Sequence, residues 1–235
     1  MILSTAKNVL RKAGIKKPTF ACIITPVFDG GIVSLDLLVQ ELMAQSFGRF
    51  IHVSISNGES LKIKKYLENI RKVDKRFIYD ELPYEKDRPL EKLMANLGKR
   101  REYCLKKYNA AWYAFMDADL KITDHDYLSK LYRAYKKFKT DVIITQTYIN
   151  NEVYPKFPLK LNNIDMANYT FSKKIAKKYS YPNNYSPKYK MANDYRFFEK
   201  ISTPDNTVIL NFISAVTSGN KFYKSVTDIR NEEKK

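Results

Sequence analysis

The sequence predicts an α/β protein, a single domain with a mostly parallel central sheet and helices on both faces. Three observations predict it. Apolar, β-like runs alternate with amphipathic helical segments in the order β-α-β-α-β-α-β-α-β, and that alternation calls for a parallel sheet with crossover helices. One run, Trp112-Tyr113-Ala114-Phe115-Met116, has no polar face and so belongs at the centre of a sheet covered on both sides. The chain has 235 residues, 44% hydrophobic and 29% charged, enough to bury a core.

The elements follow in order. Residues Met1 to Lys17 form a short basic amphipathic helix, with Ile2, Leu3, Ala6, Val9, Leu10 and Ala13 near one face and Lys7, Arg11 and Lys12 on the other. Thr19 to Pro26 is a strand closed by proline, and Val27 to Ser34 is a loop whose Ser34 caps the next helix. Leu35 to Phe47 carries Leu35, Leu38, Leu42 and Met43 at helical spacing. Arg49 to Ser56 is a second strand ended by Asn57-Gly58. Ser60 caps a helix over Leu61 to Val73, whose apolar face is Leu61, Ile63, Leu67 and Ile70.

Arg76 to Leu82 is a third strand. Leu90 to Tyr108 is a long helix with Leu93, Met94, Leu97, Cys104 and Leu105 inward, and the central strand follows it. Tyr127 to Phe138 is helical and Asp141 to Tyr148 a further strand. From Asn150 to Lys190 the chain becomes rich in Tyr, Asn, Pro and Lys and reads as an irregular, lid-like region with one helix at Met166 to Lys178. A helix at Met191 to Ile201 and a strand at Thr207 to Val216 close the domain. The organisation is thus a helix at 1–17, a domain at 18–224 with halves at 18–125 and 126–224, and a charged tail at 225–235.

Bulk properties narrow the function classes. No apolar run reaches the roughly eighteen residues that a spanning helix needs. Cys22 and Cys104 lie in apolar segments and read as reduced core thiols. With His52 and His125 as the two histidines and no cysteine cluster, a structural zinc site is not expected, and His125 reads as a loop histidine. The formal net charge of +17 favours anionic company: nucleic acid, an anionic membrane face or phosphate-rich small substrates. Lysines also fall on polar helix faces, at Lys62, Lys64 and Lys65 and at Lys136, Lys137 and Lys139, where they serve solubility.

The central strand runs straight into Asp117-Ala118-Asp119. Read as a continuing strand, the carboxylates at i and i+2 point to the same side. Such a pair calls for a cation, and Mg²⁺ or Mn²⁺ shared with substrate phosphates answers that need at the carboxyl end of an α/β sheet. A solvated turn is the plain alternative.

Four segments taken together resemble the family-2 glycosyltransferases of the GT-A fold, which use nucleotide-sugar donors. They are Ile23-Ile24-Thr25-Pro26-Val27-Phe28, Ser56-Asn57-Gly58-Glu59-Ser60, Gly98-Lys99-Arg100-Arg101-Glu102 and Phe115-Met116-Asp117-Ala118-Asp119. Their order and spacing over Lys17 to Ile201 carry the resemblance. It implies a GT-A-like domain with a nucleotide-sugar-binding half at 18–125 and an acceptor-binding half at 126–224. It implies a donor site of Thr25, Pro26, Phe28, Asn57, Glu59, Arg101, Asp117, Ala118 and Asp119, with Asp117 and Asp119 on Mn²⁺ or Mg²⁺. Arg101 would pair with a carboxylate or the diphosphate, or else stand on a helix surface.

The resemblance also implies an inverting reaction with Asp194, in Met191-Ala192-Asn193-Asp194, as general base. Met191, Tyr195 and Phe197 are expected to desolvate it; an Asp at a helix start, stabilised by the dipole, is the plain alternative. Two departures stand out. Ser56-Asn57-Gly58-Glu59 replaces the usual Asp-Asp-Gly-Ser, so the base-reading carboxylate is either missing or moved to Glu59, and Glu102 stands where the family has Asn.

The expected donor is a nucleotide sugar, a UDP-sugar first, and the acceptor a glycan, lipid-linked or other hydroxyl in polysaccharide or glycan biosynthesis. The expected location is the cytoplasm, with the basic helix holding the enzyme at the inner membrane face. Two alternatives remain: a transferase acting on DNA or RNA, suggested by the charge and the Tyr/Lys-rich stretch, and a non-catalytic nucleotide- or nucleic-acid-binding protein on the same fold.

Overall fold

The computed structural model of the chain describes residues 19–28, 31–58, 60–83, 90–149, 152–161, 163–184, 186 and 193–217. The helix expected at 1–17, the tail expected at 225–235, Glu59 and Met191 lie outside these residues.

The first half of the chain builds β1 (Ala21–Pro26), α1 (Ile32–Met43), β2 (Phe50–Ser56), α2 (Leu61–Val73), β3 (Phe77–Glu81), α3 (Leu90–Lys107) and β4 (Trp112–Phe115). The second half adds β5 (Leu120–Ile122), α4 (Tyr127–Phe138), β6 (Val142–Ile149), β7 (Glu152–Tyr154), β8 (Tyr169–Ser172), α5 (Lys173–Lys178), α6 (Asn193–Ile201) and β9 (Thr207–Thr217). These strands make one sheet in the order β3-β2-β1-β4-β8-β6-β9-β5, with β7 added beside β6. β1, β2, β3, β4, β6 and β9 run one way, and β5, β7 and β8 run the other. The sheet is mostly parallel, as expected.

The central strands read as unbroken apolar runs because both faces of the sheet are covered. Alternate residues feed two cores: Ala21 and Ile23 of β1 and Trp112 and Ala114 of β4 enter one, and Cys22, Ile24, Tyr113 and Phe115 enter the other. The first core is closed by Leu35 and Leu38 of α1, Ile63 and Leu67 of α2, and Leu128 and Leu131 of α4. Cys104 and Leu105 of α3, Ile175 of α5 and Phe197 of α6 close the second. Each such aliphatic side chain taken fully out of water contributes about 1.5–3 kcal/mol, so the helices are held by these stripes more than by their propensities. Both cysteines are buried and free, and burial pushes both thiols up.

Several expectations need correction. α1 begins at Ile32, with Gly31 at its N-cap position, so Ser34 is a buried residue inside the helix and not its cap. Ser60 does precede α2, but its side chain makes no capping bond. Leu61, counted on the apolar face of α2, is 77% exposed, because Ile63 and Leu67 already fill the contact with the sheet. The largest change is at Met166 to Lys178. The expected helix is a 3-10 turn at Met166–Asn168, then β8, then the short α5. Asp165 accepts from Ala167 N and Asn168 returns a bond to Asp165 N, a capping box that fixes a single turn. Tyr169-Thr170-Phe171-Ser172 is β-branched and aromatic and is buried on both faces between β4 and β6. The stretch read as lid-like therefore supplies a central strand.

Candidate active site

β1, β2 and β4 run side by side in the same direction, so their carboxyl ends open on one edge of the sheet. That edge is where open α/β sheets take ligands. At the end of β1, Thr25 is fully buried and its Oγ1 lies 3.0 Å from His52 Nε2. Pro26 is buried beside it, and Phe28, 46% exposed, is the part of that segment that reaches solvent. At the end of β2, Asn57 is buried. Gly58 turns the chain with φ 87 and donates its N–H to Ser56 Oγ at 3.0 Å; the left-handed backbone there suits glycine.

β4 ends at Phe115, two residues before the first aspartate. Leu120 N donates to Asp117 O at 3.2 Å, which closes a turn over Asp117-Ala118-Asp119-Leu120. The two carboxylates thus stand on a turn and not on one side of a strand, which corrects the basis of the expected juxtaposition. Ala118 is buried under the turn. The Asp117 side chain keeps 56% of its surface open, yet the surrounding protein pushes its carboxyl up to about 8. Arg101 opposes that rise, and Asp165, Asp119 and Asp194 add to it. Burial also raises Asp119.

Arg101 is 3% exposed, so it is no helix-surface residue. Its guanidinium donates from Nη1 to Asp194 Oδ1 and to Tyr181 Oη, both at 2.7 Å, and its Nη2 lies 2.6 Å from Met166 Sδ and 3.6 Å from Asp117 Oδ1. The rings of Phe115 and Tyr181 face the guanidinium at 5.4 and 5.3 Å. Burial alone would make Arg101 less basic; Asp194, Tyr181 and Asp117 more than reverse that and keep it charged.

Asp194 stands in the first turn of α6, where the helix dipole favours an anion. Tyr181 Oη donates to the same Oδ1 that Arg101 engages, and Tyr169 Oη donates to the Asp194 carbonyl at 2.9 Å. The expected apolar, desolvating surround is instead ionic and hydrogen-bonding on this side. Asn193, 1% exposed, has neither side-chain amide atom hydrogen-bonded.

Three members of this group were not expected from the sequence. Asp165 is pushed up to about 6 by burial and then by Asp194. Its sequence signal was the Asp-x-x-Asn spacing of a capping box, which marks a turn and says nothing of a site. Tyr181 and Tyr169 carried no separate signal in a tyrosine-rich stretch. Glu102 accepts from Tyr181 N at 2.8 Å and so anchors the segment bearing that tyrosine. His125 is an exposed loop residue, as expected.

The structure therefore brings Arg101, Asp117, Asp119, Asp165 and Asp194 into one electrostatic group, with Thr25, Phe28 and Asn57 along the neighbouring strand ends. Among the described residues, no three His, Cys, Asp or Glu side chains are gathered as a metal cage. Asp117 and Asp119 nevertheless suit a divalent cation completed by ligand oxygens, since both are held in a protein environment that disfavours their charge.

No protein-family model and no curated protein sequence matches the chain. Its fold does match solved structures. TarS 1-349 from S. aureus superposes with a TM-score of 0.65 at 16% identity, over 84% of this chain and 60% of that one. The same protein in complex with UDP-GlcNAc gives 0.64 at 18% identity, over 84% and 58%. The mannosyltransferase PcManGT from Pyrobaculum calidifontis, in complex with GDP-Man and Mn2+, gives 0.65 at 9% identity, over 92% and 61%. The chain spans about 60% of the length of these structures. It has a glycosyltransferase-like α/β fold.

Proposed function

We propose that this chain is a nucleotide-sugar-dependent glycosyltransferase that moves a sugar to an acceptor hydroxyl with inversion. The observation that carries the reading is Arg101. One buried guanidinium joins the Asp-x-Asp turn after β4 to the helix-start aspartate of α6, at 3.6 Å from Asp117 and 2.7 Å from Asp194. That juxtaposition is what a reaction between a metal-bound donor and a deprotonated acceptor requires. The UDP-GlcNAc and GDP-Man complexes of the similar structures support the donor class, and the Mn2+ complex supports the metal.

In this reading Asp117 and Asp119 hold Mn²⁺ or Mg²⁺. Bound there, such an ion would supply the positive charge that offsets the diphosphate as it leaves. Arg101 fixes the position of Asp117 and Asp194 relative to each other. Arg101 and Tyr181 occupy Asp194 Oδ1, which leaves Oδ2 to accept the proton of the acceptor hydroxyl. The acceptor oxygen then bonds to the anomeric carbon, the bond from that carbon to the diphosphate oxygen breaks, and the nucleoside diphosphate leaves. Phe28, at the exposed end of β1, and Asn57 line the nucleoside side, with Thr25 and Pro26 shaping its wall from beneath; Glu59 takes the base-reading role.

Calorimetric titration of UDP, GDP and deoxythymidine diphosphate, with and without Mn²⁺, tests the donor assignment. The expected result is metal-dependent binding of one nucleotide, abolished by Asp119→Ala. Absence of binding under both conditions would overturn the donor site.

A further inference from the structure

A cleft of about 380 Å³ lies between α3 and α5, at the amino-terminal end of β4. The Asp-x-Asp turn follows the carboxyl end of the same four-residue strand, so the two places are about 13 Å apart at roughly 3.3 Å per residue. The volume lies within the range of small-molecule sites. Its lining mixes two kinds of surface: Leu105, Ala176 and the tyrosines Tyr108, Tyr113 and Tyr179 stand beside the polar Glu102, Asn109 and Ser180. Tyr113 Oη donates to Tyr108 O and Tyr108 Oη donates to Asp80, each at 2.7 Å, so both hydroxyls are spent inside the protein and the rings remain.

The rim is cationic: Lys106, Lys173 and Lys177 stand against Glu102. Lys106 pairs with Glu102 at 3.0 Å and Lys173 reaches Asn109 Oδ1 at 2.5 Å, while Lys177 has no partner among the described residues. Lys173 and Lys177 are four apart on the six-residue α5. Like charges at that spacing repel, and Lys173 sits in the first turn, where the helix dipole disfavours a cation. Compensation of helix ends explains Lys177, whereas the bond from Lys173 to the neutral Asn109 Oδ1 holds its ammonium at the cleft without cancelling the charge. An anion held between the two lysines removes both penalties, and the half-buried rings of Tyr108 and Tyr179 offer an apolar surface to a ring attached to that anion.

We propose that this cleft is a second ligand site, for a small phosphate ester that carries a ring, either a nucleotide or a sugar phosphate. The proposal stands apart from the donor site and from the transferase reading. Its test uses the full chain carrying Asp119→Ala in EDTA, so that metal-dependent binding at the Asp-x-Asp turn does not contribute. UMP, glucose 1-phosphate, inorganic phosphate, uridine and glucose are titrated calorimetrically at low salt. At least one ester is expected to bind at one site per chain, more tightly than inorganic phosphate and than its phosphate-free parent. The tighter ester tells nucleotide from sugar phosphate. Lys173→Ala with Lys177→Ala is expected to weaken that binding about tenfold or more, the value of one charge-assisted bond. Lys136→Ala with Lys137→Ala, which removes the same charge from α4, leaves it unchanged. Lys177→Glu, at a single exposed position, repeats the loss with the least risk to folding. No ester binding, equal weakening by the two lysine pairs, or inorganic phosphate binding as tightly as both esters would each overturn the proposal.

Discussion

Arg101 and Asp194, ninety-three positions apart in the sequence, are joined by a 2.7 Å hydrogen-bonded ion pair, with the arginine side chain 4% and the aspartate side chain 25% exposed. The pair ties α3 to α6 across the carboxyl edge of the sheet. It also sets the only strong cation described in this group against four carboxylates, Asp117, Asp119, Asp165 and Asp194.

Removing that cation strands the carboxylates. Arg101→Ala is expected to destabilise the protein by about 3–5 kcal/mol, the range for breaking a buried pair from one side. Asp194→Asn is expected to cost less, because Arg101 keeps Tyr181, Met166 and Asp117 as neighbours. Urea unfolding of the two variants checks the order. Equal losses would show that the pair itself, and not the carboxylate excess, sets the cost.

Tyr181 separates packing from hydrogen bonding. Its ring packs against Phe115 and Phe197 at 5.1 and 5.0 Å, and its hydroxyl touches Arg101 and Asp194. Tyr181→Phe keeps the ring and is expected to cost about 1.5–3 kcal/mol, the range for hydrogen bonds to charged groups. Tyr181→Ala opens a cavity and is expected to cost about 3–5 kcal/mol. In the transferase reading, Tyr181→Phe also lowers turnover while leaving metal-dependent nucleotide affinity unchanged. A matching loss of nucleotide affinity would place Tyr181 on the donor side instead.

Gly98 admits the segment that carries Tyr181. A Cβ built there would lie 2.2 Å from Pro182 O and 2.7 Å from Asn183 Cα, and both are backbone atoms that cannot swing aside. Gly98→Ala is expected to cost about 1–3 kcal/mol or more through overpacking and to push the Tyr181 strap off α3. Thermal unfolding reads the first effect. Hydrogen exchange at the Tyr181 amide, which is bonded to Glu102, reads the second; unchanged exchange would mean that α3 moves and the strap does not.

Much of the fold was legible because burial on both faces leaves a plain mark. α2 and α4 begin and end where the periodicity put them, and β1, β2 and β4 stood out as apolar runs. β8 was not legible: it is four residues long, and the strands that flank it, β4 and β6, lie far away in sequence. The candidate site was half legible. Asp117, Asp119 and Asp194 followed from motif and resemblance. The burial of Arg101 had a usable signal, since Leu97, Arg101, Cys104 and Leu105 share one face of α3, yet a charge on an apolar stripe was also consistent with a rim position. Asp165 and Tyr181 became visible when the capping turn and the strap were folded against that arginine.

His52 gives the fold an acid-sensitive term. Burial lowers its imidazole to about 3, and its Nδ1 has no partner. Between about 3 and 6.5 the unfolded chain takes up a proton at this residue and the folded chain does not. The stability it protects is complete above 6.5 and is lost as the pH falls, by up to about 1.4 kcal/mol per pH unit. His52→Leu, which has nothing to protonate in either state, is expected to flatten the stability profile between pH 4 and 6.5. An unchanged slope would assign the acid sensitivity to the carboxylates instead.

Asp165 acts with the opposite sign. Burial and Asp194 raise its carboxyl to about 6, above the ordinary 3.8, so between those values the folded chain binds the proton and the unfolded chain does not. Stability from this group is full below 3.8 and is lost as the pH rises through 6, a penalty of up to about 2–3 kcal/mol at neutral pH. Asparagine can keep the capping bond to Ala167 N while removing the charge. Asp165→Asn is therefore expected to raise the unfolding free energy at pH 7 in EDTA and to leave it unchanged at pH 3.5. Because Asp165 also repels Asp117, the same substitution is expected to reduce the stabilisation gained on adding Mn²⁺, since less negative charge then waits for the ion. Urea titrations at the two pH values, with and without Mn²⁺, separate these effects. A loss of stability at pH 7 in EDTA would show that the Asp165 carboxylate is held by favourable contacts and not tolerated at a cost.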